Sequence, residues 1–391
     1  MKDKRVFVYT EAAPAHQDVV VYGLNRAGVP IMRAISDHIA HIAIFPIGPW
    51  LEKQNLDLEL ADRCSILPRP ATLLCKALNR YPRLGHGLLN ALPPLLLAPS
   101  ARKSDADIVF IFVGADVNQI IRGERLARLA GKPYAYYLVD DFILPMRNAG
   151  ASKSTMQRAA KQAGEALRGA SHVFAITDGL GEHLREYYGV SPTTLSLAFE
   201  PGPRPTPGVK NQIIFVGGTN FLYAEGLQDL FKTVGRIRAT GSDLTVRLTV
   251  PAHIAVNDLG ELPPFVISEP IKTADGLAHE IAASLFSFLP YSFDQRIKPM
   301  VSTSFPSKSI EYLAYARSIV VYGPDYGVAT QYFQKANLPF VVSSVTELEE
   351  TTKAHLTLQP DYSARYLQYL AVAHSLASVR KTICSNLSLE A

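Results

Sequence analysis

The chain has 391 residues and a formal net charge of +4 at pH 7, with 48% hydrophobic and 19% charged residues. This length favours two domains, and the mild charge argues against a dedicated nucleic-acid binder, which would concentrate basic residues on one face. The apolar run after the charged N-terminus, residues 6–9, is too short for a signal peptide, and no run approaches the length of a membrane span. Cysteines without CxxC spacing (Cys64, Cys75 and Cys384) favour a reducing compartment, so we expect a cytoplasmic protein.

In the first half of the chain, short apolar runs alternate with segments of helical periodicity, a pattern typical of βα units around buried parallel sheets. The pattern predicts strands at Val6–Tyr9, Ile42–Pro46, Ile108–Val113, Tyr134–Val139 and His172–Ile176, and helices at Asn118–Ala130, Thr155–Gly169 and Gly179–Tyr188. The segment 200–211 then contains four prolines and two glycines, which cannot continue a helix or a central strand. We therefore predict a first domain over residues 1–200 and a linker over 201–211.

The same alternation resumes beyond the linker. It predicts strands at Ile213–Gly217, Leu244–Val250, Phe265–Ser268, Ser284–Leu289, Ser318–Tyr322 and Phe340–Val342, and helices at Gly226–Thr240, Ala274–Ala283, Ser307–Ala316 and Gly327–Ala336. The second domain would cover residues 212–365, and residues 366–391 would form a helix able to pack back on the first domain. The predicted fold class is α/β, with two doubly wound Rossmann-like domains facing each other across a cleft, at the carboxyl ends of the strands.

One stretch of the second domain, 304–324, combines residues suited to nucleotide binding. Pro306 and Ser307 fit the first turn of a helix, which places Lys308 beside the free N–H groups and Glu311 one turn later. A cation at a helix start can bind a diphosphate, and the carboxylate can accept hydrogen bonds from ribose hydroxyls. The spacing of Lys308 and Glu311 by itself favours an ordinary surface ion pair.

The residues from Phe305 to Ala314, followed by the strand 319–322 and Gly323-Pro324, resemble the donor-site signature of family 4 and related GT-B glycosyltransferases. The resemblance implies that Lys308 contacts the diphosphate and Glu311 the ribose of a nucleotide sugar. A UDP-sugar is then the expected donor substrate, and no cofactor is expected.

Other segments resemble parts of the same enzymes in the same order. Phe215-Val-Gly217-Gly218 is similar to the opening strand and glycine loop of the donor domain, and residues 175–189 are similar to the last helical unit of the acceptor domain. The block from Pro290 to Gln295 resembles the bacterial exopolysaccharide glucuronosyltransferases, a neighbouring GT-B family.

The sequence departs from the family 4 pattern at the phosphate contacts. Two basic residues expected after the glycine loop are replaced by Thr219-Asn220 and by Glu225, and a second acidic residue of the pattern is Thr303 here. The N-terminal glycine-rich loop is replaced by residues 12–17. Arg296 and Lys298 lie in the loop before the signature helix. They could supply the missing charge or bind an acidic sugar, and the alternative is that both are solvated loop residues.

Asp140 and Asp141 end a predicted strand at the edge expected to face the cleft. In the glucuronosyltransferase group an aspartate at the corresponding strand end is the general base. Asp140 matches that position better and Asp141 is the alternative, while capping of the following helix is an equally common role for aspartate. His16, just past the first strand, is a further candidate base.

The motif Asp105-Ala-Asp107 matches the metal-binding DxD of the other glycosyltransferase architecture, but it precedes a strand. It should therefore lie at the amino end of the sheet, away from the cleft. The sequence has no His/Cys cluster either, so no metal site is predicted.

Residues 63–103 carry seven Lys and Arg residues and no acidic residue, interleaved with leucine pairs. Such a segment can lie on an anionic bilayer with its leucines inserted, which would bring the enzyme to a lipid-linked acceptor. The alternative is an insertion that packs its leucines on the first domain and leaves its cations in water. Prolines break the segment into short pieces, which argues against one long amphipathic helix.

These observations predict a metal-independent GT-B glycosyltransferase of bacterial polysaccharide or glycoconjugate synthesis. It would move a hexose or hexuronic acid from a nucleoside diphosphate to a hydroxyl of a saccharide or lipid-linked acceptor, with peripheral membrane contact through residues 63–103. Two alternatives remain open: a nucleotide-sugar epimerase of the same architecture, and a non-catalytic nucleotide-binding protein.

Overall fold

The computed structural model describes residues 4–10, 24–44, 58–66, 90–148 and 150–389. These residues form two α/β units, each with its own sheet of parallel strands. One unit contains the described chain up to Ala198 together with the segment from Leu376 onward, and the other runs from Phe199 to Ser375.

The first unit is built on a seven-stranded parallel sheet with the strand order β3-β2-β1-β4-β5-β6-β7. Its strands are Val6–Thr10 (β1), Ile39–Ile44 (β2), Cys64–Ile66 (β3), Ile108–Val113 (β4), Tyr134–Leu138 (β5), His172–Ala175 (β6) and Thr193–Thr194 (β7). β4 and β5 are buried along their whole length, because helices cover both faces of a doubly wound sheet. Those helices are Leu24–Ala34 (α1), Leu58–Ala61 (α2), Leu92–Lys103 (α3), Val117–Ala130 (α4), Leu144–Asn148 (α5), Lys153–Arg168 (α6) and Asp178–Tyr188 (α7).

The second unit is built on a six-stranded parallel sheet with the order β10-β9-β8-β11-β12-β13. Its strands are Lys210–Phe215 (β8), Thr245–Leu248 (β9), Val266–Ser268 (β10), Ser284–Pro290 (β11), Ile319–Tyr322 (β12) and Val341–Val342 (β13). Its helices are Ala224–Arg238 (α8), Ala252–Leu259 (α9), Ala274–Ala283 (α10), Lys298–Val301 (α11), Lys308–Tyr315 (α12), Val328–Lys335 (α13), Val345–Leu358 (α14) and Ser363–Ala373 (α15). Short 3-10 turns occur at Ser36–His38 in the first unit and Gln295–Ile297 in the second.

The C-terminal region differs from the single helix predicted over 366–391, because it contains two helices that belong to different units. α15 lies in the second unit, where the Tyr366 hydroxyl accepts a hydrogen bond from the Ile319 N–H at 3.1 Å. The last helix, Leu376–Leu387 (α16), belongs to the first unit. There the Arg380 guanidinium binds both carboxylate oxygens of Asp37 at 2.5 and 2.7 Å, and this pairing lowers the pKa of Asp37.

Residues 201–209 form neither helix nor strand, and they lie against the second unit. The Gly202 N–H donates to the Tyr315 hydroxyl at 3.0 Å, and Arg204 pairs with Asp361 at 4.0 Å. The proline-rich segment is therefore held to the second unit. No helix in the described parts of the chain is both long and apolar enough to cross a bilayer.

Gly226 in the first turn of α8 allows this helix to pack closely against the end of β11. A Cβ atom there would lie 2.6 Å from the Cβ of Pro290, whereas a Cβ at Gly235 in the same helix would have its nearest neighbours at 4.0 Å. Alanine is favoured over glycine in a helix by about 1 kcal/mol, and overpacking costs about 1–3 kcal/mol.

We therefore expect Gly226→Ala to lower the free energy of unfolding by up to about 2 kcal/mol and Gly235→Ala to raise it by up to about 1 kcal/mol. Urea unfolding followed by circular dichroism measures both. Equal effects of the two substitutions would contradict the close contact at Pro290.

Candidate active site

The strand order of the second sheet reverses beside β8, since β9 and β10 lie on one side of it and β11 to β13 on the other. Loops that leave neighbouring strands in opposite directions open a crevice at the carboxyl edge, which is where ligands of doubly wound sheets bind. The loops at this point are residues 216–220 after β8 and residues 291–294 after β11. The glycine loop and the Pro290–Gln295 block of the sequence are thus neighbours.

The glycine loop is held by hydrogen bonds from both sides. The Gly217 N–H donates to the Thr249 hydroxyl at 3.0 Å, and the Val216 N–H donates to the Tyr312 hydroxyl at 2.8 Å. Gly217 has φ +92°, and a Cβ atom there would stand 3.5 Å from Lys308 Nζ. Any other residue would be strained at this φ, and its Cβ would be in van der Waals contact with the lysine.

Lys308 begins α12, and its side chain is buried, with 6% exposure. Its Nζ lies 3.7 Å from the ring centroid of Phe215 and 3.8 Å from that of Tyr223. Both rings present their π faces to the ammonium, a favourable arrangement for a desolvated cation. Lys308 is therefore not the solvated surface residue that its spacing from Glu311 suggested.

The first turn of α12 has hydrogen bonds of the 3-10 type, in which each amide bonds to the carbonyl three residues earlier. The Ser309 N–H donates to the Pro306 carbonyl at 2.9 Å, and the Ile310 N–H donates to the Ser307 carbonyl at 3.2 Å. These amides are two of the groups expected to be available at the helix start. Because these amides already bond to carbonyls of the same turn, an anion at this helix start would be held more by Lys308 than by the backbone.

Glu311 lies one turn after Lys308 and is half-buried. Burial raises the pKa of Tyr315, one turn further along the helix, and the Glu311 carboxylate adds to that effect.

Hydroxyl oxygens that are buried and have no hydrogen-bond partner within the described residues also occur around the signature, namely those of Ser304, Ser309 and Thr330. Buried polar atoms of this kind are rare and are usually explained by a ligand or water.

Glu225 stands after the glycine loop, where the family 4 pattern has a lysine, and its carboxylate has a structural role. The Glu225 carboxylate accepts hydrogen bonds from the Ser292 hydroxyl at 2.5 Å and from the Phe293 N–H at 2.8 Å. It therefore fixes the loop after β11. Thr303, at the expected acidic position, is buried and donates to the Pro299 carbonyl at 2.8 Å.

The two loop cations are engaged by their neighbours. Arg296 has an 88% exposed side chain and pairs with Asp294 at 2.6 Å, and hydrogen bonds from Arg296 lower the pKa of Asp294. The Lys298 Nζ lies 4.7 Å from the ring centroid of Tyr326. Either cation would have to leave its partner to reach a ligand elsewhere.

The two candidate bases of the first unit have different environments. Asp141 is buried; one carboxylate oxygen accepts from the Ile143 N–H at 2.7 Å, and the other lies 3.5 Å from His183 Nε2. Asp141 thus holds the turn that leads into α5. Asp140 is partly exposed, and its charge adds to burial in raising the pKa of Tyr137. The contact with His183 was missed, because nothing in its sequence position links it to Asp141.

The Asp105-Ala-Asp107 motif lies at the amino ends of β1 and β4. Asp107 accepts from the Arg5 N–H at 2.8 Å, and Asp105 pairs with the Arg5 guanidinium. Within the described ranges, no group of three or more His, Cys, Asp or Glu side chains is placed to hold a metal ion. His16 and residues 12–17 lie outside the described residues, as does most of the basic segment 63–103.

No protein-family model matches the sequence, and no curated protein is similar enough to match. Solved structures do match. HepE of Anabaena in complex with UDP aligns with a TM-score of 0.65 at 14% identity, covering 98% of this chain and 99% of that chain. A trehalose-6-phosphate synthase aligns with a TM-score of 0.61 at 13% identity, covering 99% of this chain and 100% of that chain. An α-glucosyltransferase in complex with UDP aligns with a TM-score of 0.54 at 11% identity, covering 98% of this chain and 99% of that chain. The predicted fold class is confirmed: the chain has the α/β fold of the GT-B glycosyltransferases.

Proposed function

We propose that this protein is a glycosyltransferase that uses a nucleoside diphosphate sugar, with UDP-sugar as the donor. The observation that carries the proposal is the buried ammonium of Lys308 beside Gly217, at the point where the strand order of the second sheet reverses. Support also comes from the fold neighbour HepE, which was solved with UDP, with UDP and glucose, and with UDP-glucose.

In this proposal Lys308 binds the diphosphate, while Gly217 and Gly218 let the phosphates approach the backbone. Ser307 precedes the lysine at the start of α12, and Glu311 accepts hydrogen bonds from the ribose hydroxyls. As the bond between the sugar and the diphosphate breaks, negative charge grows on the leaving group, and the preorganised ammonium stabilises it.

Arg296 lies in the 3-10 turn before α11 and Lys298 begins α11, and we propose both as secondary contacts. Arg296 is highly exposed and pairs with Asp294 two residues away, so it can exchange Asp294 for an anionic ligand at small cost. The carboxylate of a hexuronic acid or the diphosphate itself would suit either cation.

Replacement of Lys308 by methionine should weaken UDP binding about 10- to 100-fold, the range expected for loss of a hydrogen bond to a charged group. Uridine, which has no phosphates, should bind as before. Titration calorimetry with both ligands measures the difference, and Lys353→Met at an exposed position of α14 is the matched control. Unchanged UDP affinity in a folded Lys308→Met protein would remove the donor-site assignment.

For the transfer step we propose Asp140 as the general base if the reaction inverts. The acceptor oxygen forms a bond to the anomeric carbon, the bond from that carbon to the diphosphate oxygen breaks, and the acceptor proton passes to the Asp140 carboxylate. Asp141 serves as the structural partner, since its oxygens are engaged by the Ile143 N–H and His183.

Asp140→Asn should therefore lower turnover of UDP-glucose by about 10²- to 10⁴-fold without changing UDP affinity. Asp141→Ala should instead lower the free energy of unfolding by about 1 kcal/mol. UDP release with and without screened saccharide acceptors is the activity assay. Wild-type turnover by Asp140→Asn would exclude Asp140 as the base.

The same assay on the wild-type protein separates the alternative functions. A sugar isomerised without any acceptor would indicate an epimerase, and UDP binding without turnover would indicate a non-catalytic binder.

We further propose a lipid-linked acceptor of glycoconjugate synthesis, reached by peripheral contact with an anionic membrane. Two leucines of α3, Leu95 and Leu96, are 55% and 46% exposed, and Arg102 and Lys103 at the end of this helix are exposed as well. Apolar side chains next to cations suit the boundary between head groups and acyl chains.

Flotation with vesicles tests this contact. The wild-type protein should bind vesicles that contain phosphatidylglycerol and not pure phosphatidylcholine, and Leu95→Ser/Leu96→Ser should weaken binding several-fold. Leu358→Ser, at a 75% exposed leucine in α14, is the control. Absence of wild-type binding, or equal loss in the control, would overturn the membrane contact.

A further inference from the structure

We propose that Tyr223, together with Phe215, is a positioning residue that holds the Lys308 ammonium ready for a diphosphate. In this role the aromatic pair compensates for the two cations missing after the glycine loop. The inference rests on the proposed function, because it assigns Lys308 to the diphosphate of the donor.

The first observation is the geometry of the cage formed by Phe215 and Tyr223. Lys308 Nζ lies within 3.8 Å of both ring centroids and 3.5 Å from the position of a Cβ at Gly217. Phe215 ends β8 and Tyr223 precedes α8, so the two rings come from both sides of the glycine loop. The ammonium is thereby directed to the loop at which a phosphate would be bound.

The second observation is the way in which Tyr223 is itself held. Its ring stacks on that of Tyr291, with centroids 6.1 Å apart and planes 7° from parallel. Tyr291 is fully buried and donates its hydroxyl hydrogen to the Ser304 carbonyl, just before the signature helix. Tyr223 is thus locked between the loop after β11 and the ammonium.

The chemistry of an aromatic cage differs from that of an ion pair. A carboxylate would neutralise the lysine, and a diphosphate would have to displace it. The π face attracts the cation through its quadrupole and carries no formal negative charge of its own. The cage also removes rotamer freedom from a long side chain before the ligand arrives, which lowers the entropy lost on binding.

The third observation concerns the residues in place of the missing cations. Glu225 is committed to Ser292 and Phe293, and Thr219 donates its hydroxyl hydrogen to Asp258 at 2.6 Å. Neither supplies positive charge. Lys308 therefore supplies a larger share of the positive charge beside the glycine loop, and its positioning matters correspondingly more.

A double-mutant cycle in the full-length protein tests this inference, using calorimetric titration with UDP and uridine. Tyr223→Leu should weaken UDP binding about tenfold through lost preorganisation and leave uridine binding unchanged. Tyr223→Phe keeps the π face and should stay within about twofold of the wild type. In the Lys308→Met background, Tyr223→Leu should have no further effect on UDP binding, because the group that it positions is absent.

The possible results separate this inference from the function on which it rests. If the wild type binds UDP and Tyr223→Leu binds it equally well, the positioning role is wrong and the donor site stands. An equal tenfold loss in the Lys308→Met background, or a matching loss of uridine binding, would also overturn it, since Tyr223 would then contact the nucleotide directly. If the wild type binds neither UDP nor UDP-glucose, the proposed function fails, and the inference fails with it.

Discussion

The buried ammonium of Lys308 imposes the strongest physical requirement on the second unit. A charge removed from water is costly unless its surroundings replace the lost hydration. Here the π faces of Phe215 and Tyr223 contribute part of that replacement. The same helix supplies Tyr312, whose hydroxyl accepts from the Val216 N–H and so ties α12 to the end of β8. The lysine and the glycine loop are therefore held as one structure.

Rigidity around this lysine comes from groups that carry no positive charge. Glu225 fixes the loop after β11 through Ser292 and Phe293, and the stacked pair of Tyr223 and Tyr291 connects that loop to the glycine loop. The site thus departs from the family 4 pattern in charge while keeping a well-defined backbone. Preorganised groups of this kind act more strongly in a water-poor site than mobile surface cations do.

The first unit separates two adjacent carboxylates by environment. Asp141 is buried and committed to a backbone amide and to His183, whereas the neighbouring Asp140 is partly exposed. Adjacent residues of an extended segment point in different directions, so the two carboxylates need not share one environment. At the opposite edge of the sheet, Asp105 and Asp107 are occupied by Arg5.

The amino-acid pattern alone predicted the fold class and most strand positions, because uninterrupted apolar runs such as β4 and β12 are typical of strands buried between helices. It also located the signature helix, since Pro306 suits a helix start. It did not predict the division of the C-terminal segment into α15 and α16, because local periodicity does not tell which core a helix joins. The choice between Asp140 and Asp141 was also left open, because helix caps and bases both occur at strand ends. The burial of Lys308 was decided only by tertiary structure, because the rings that surround it belong to β8 and to the residue before α8, far from the lysine in sequence.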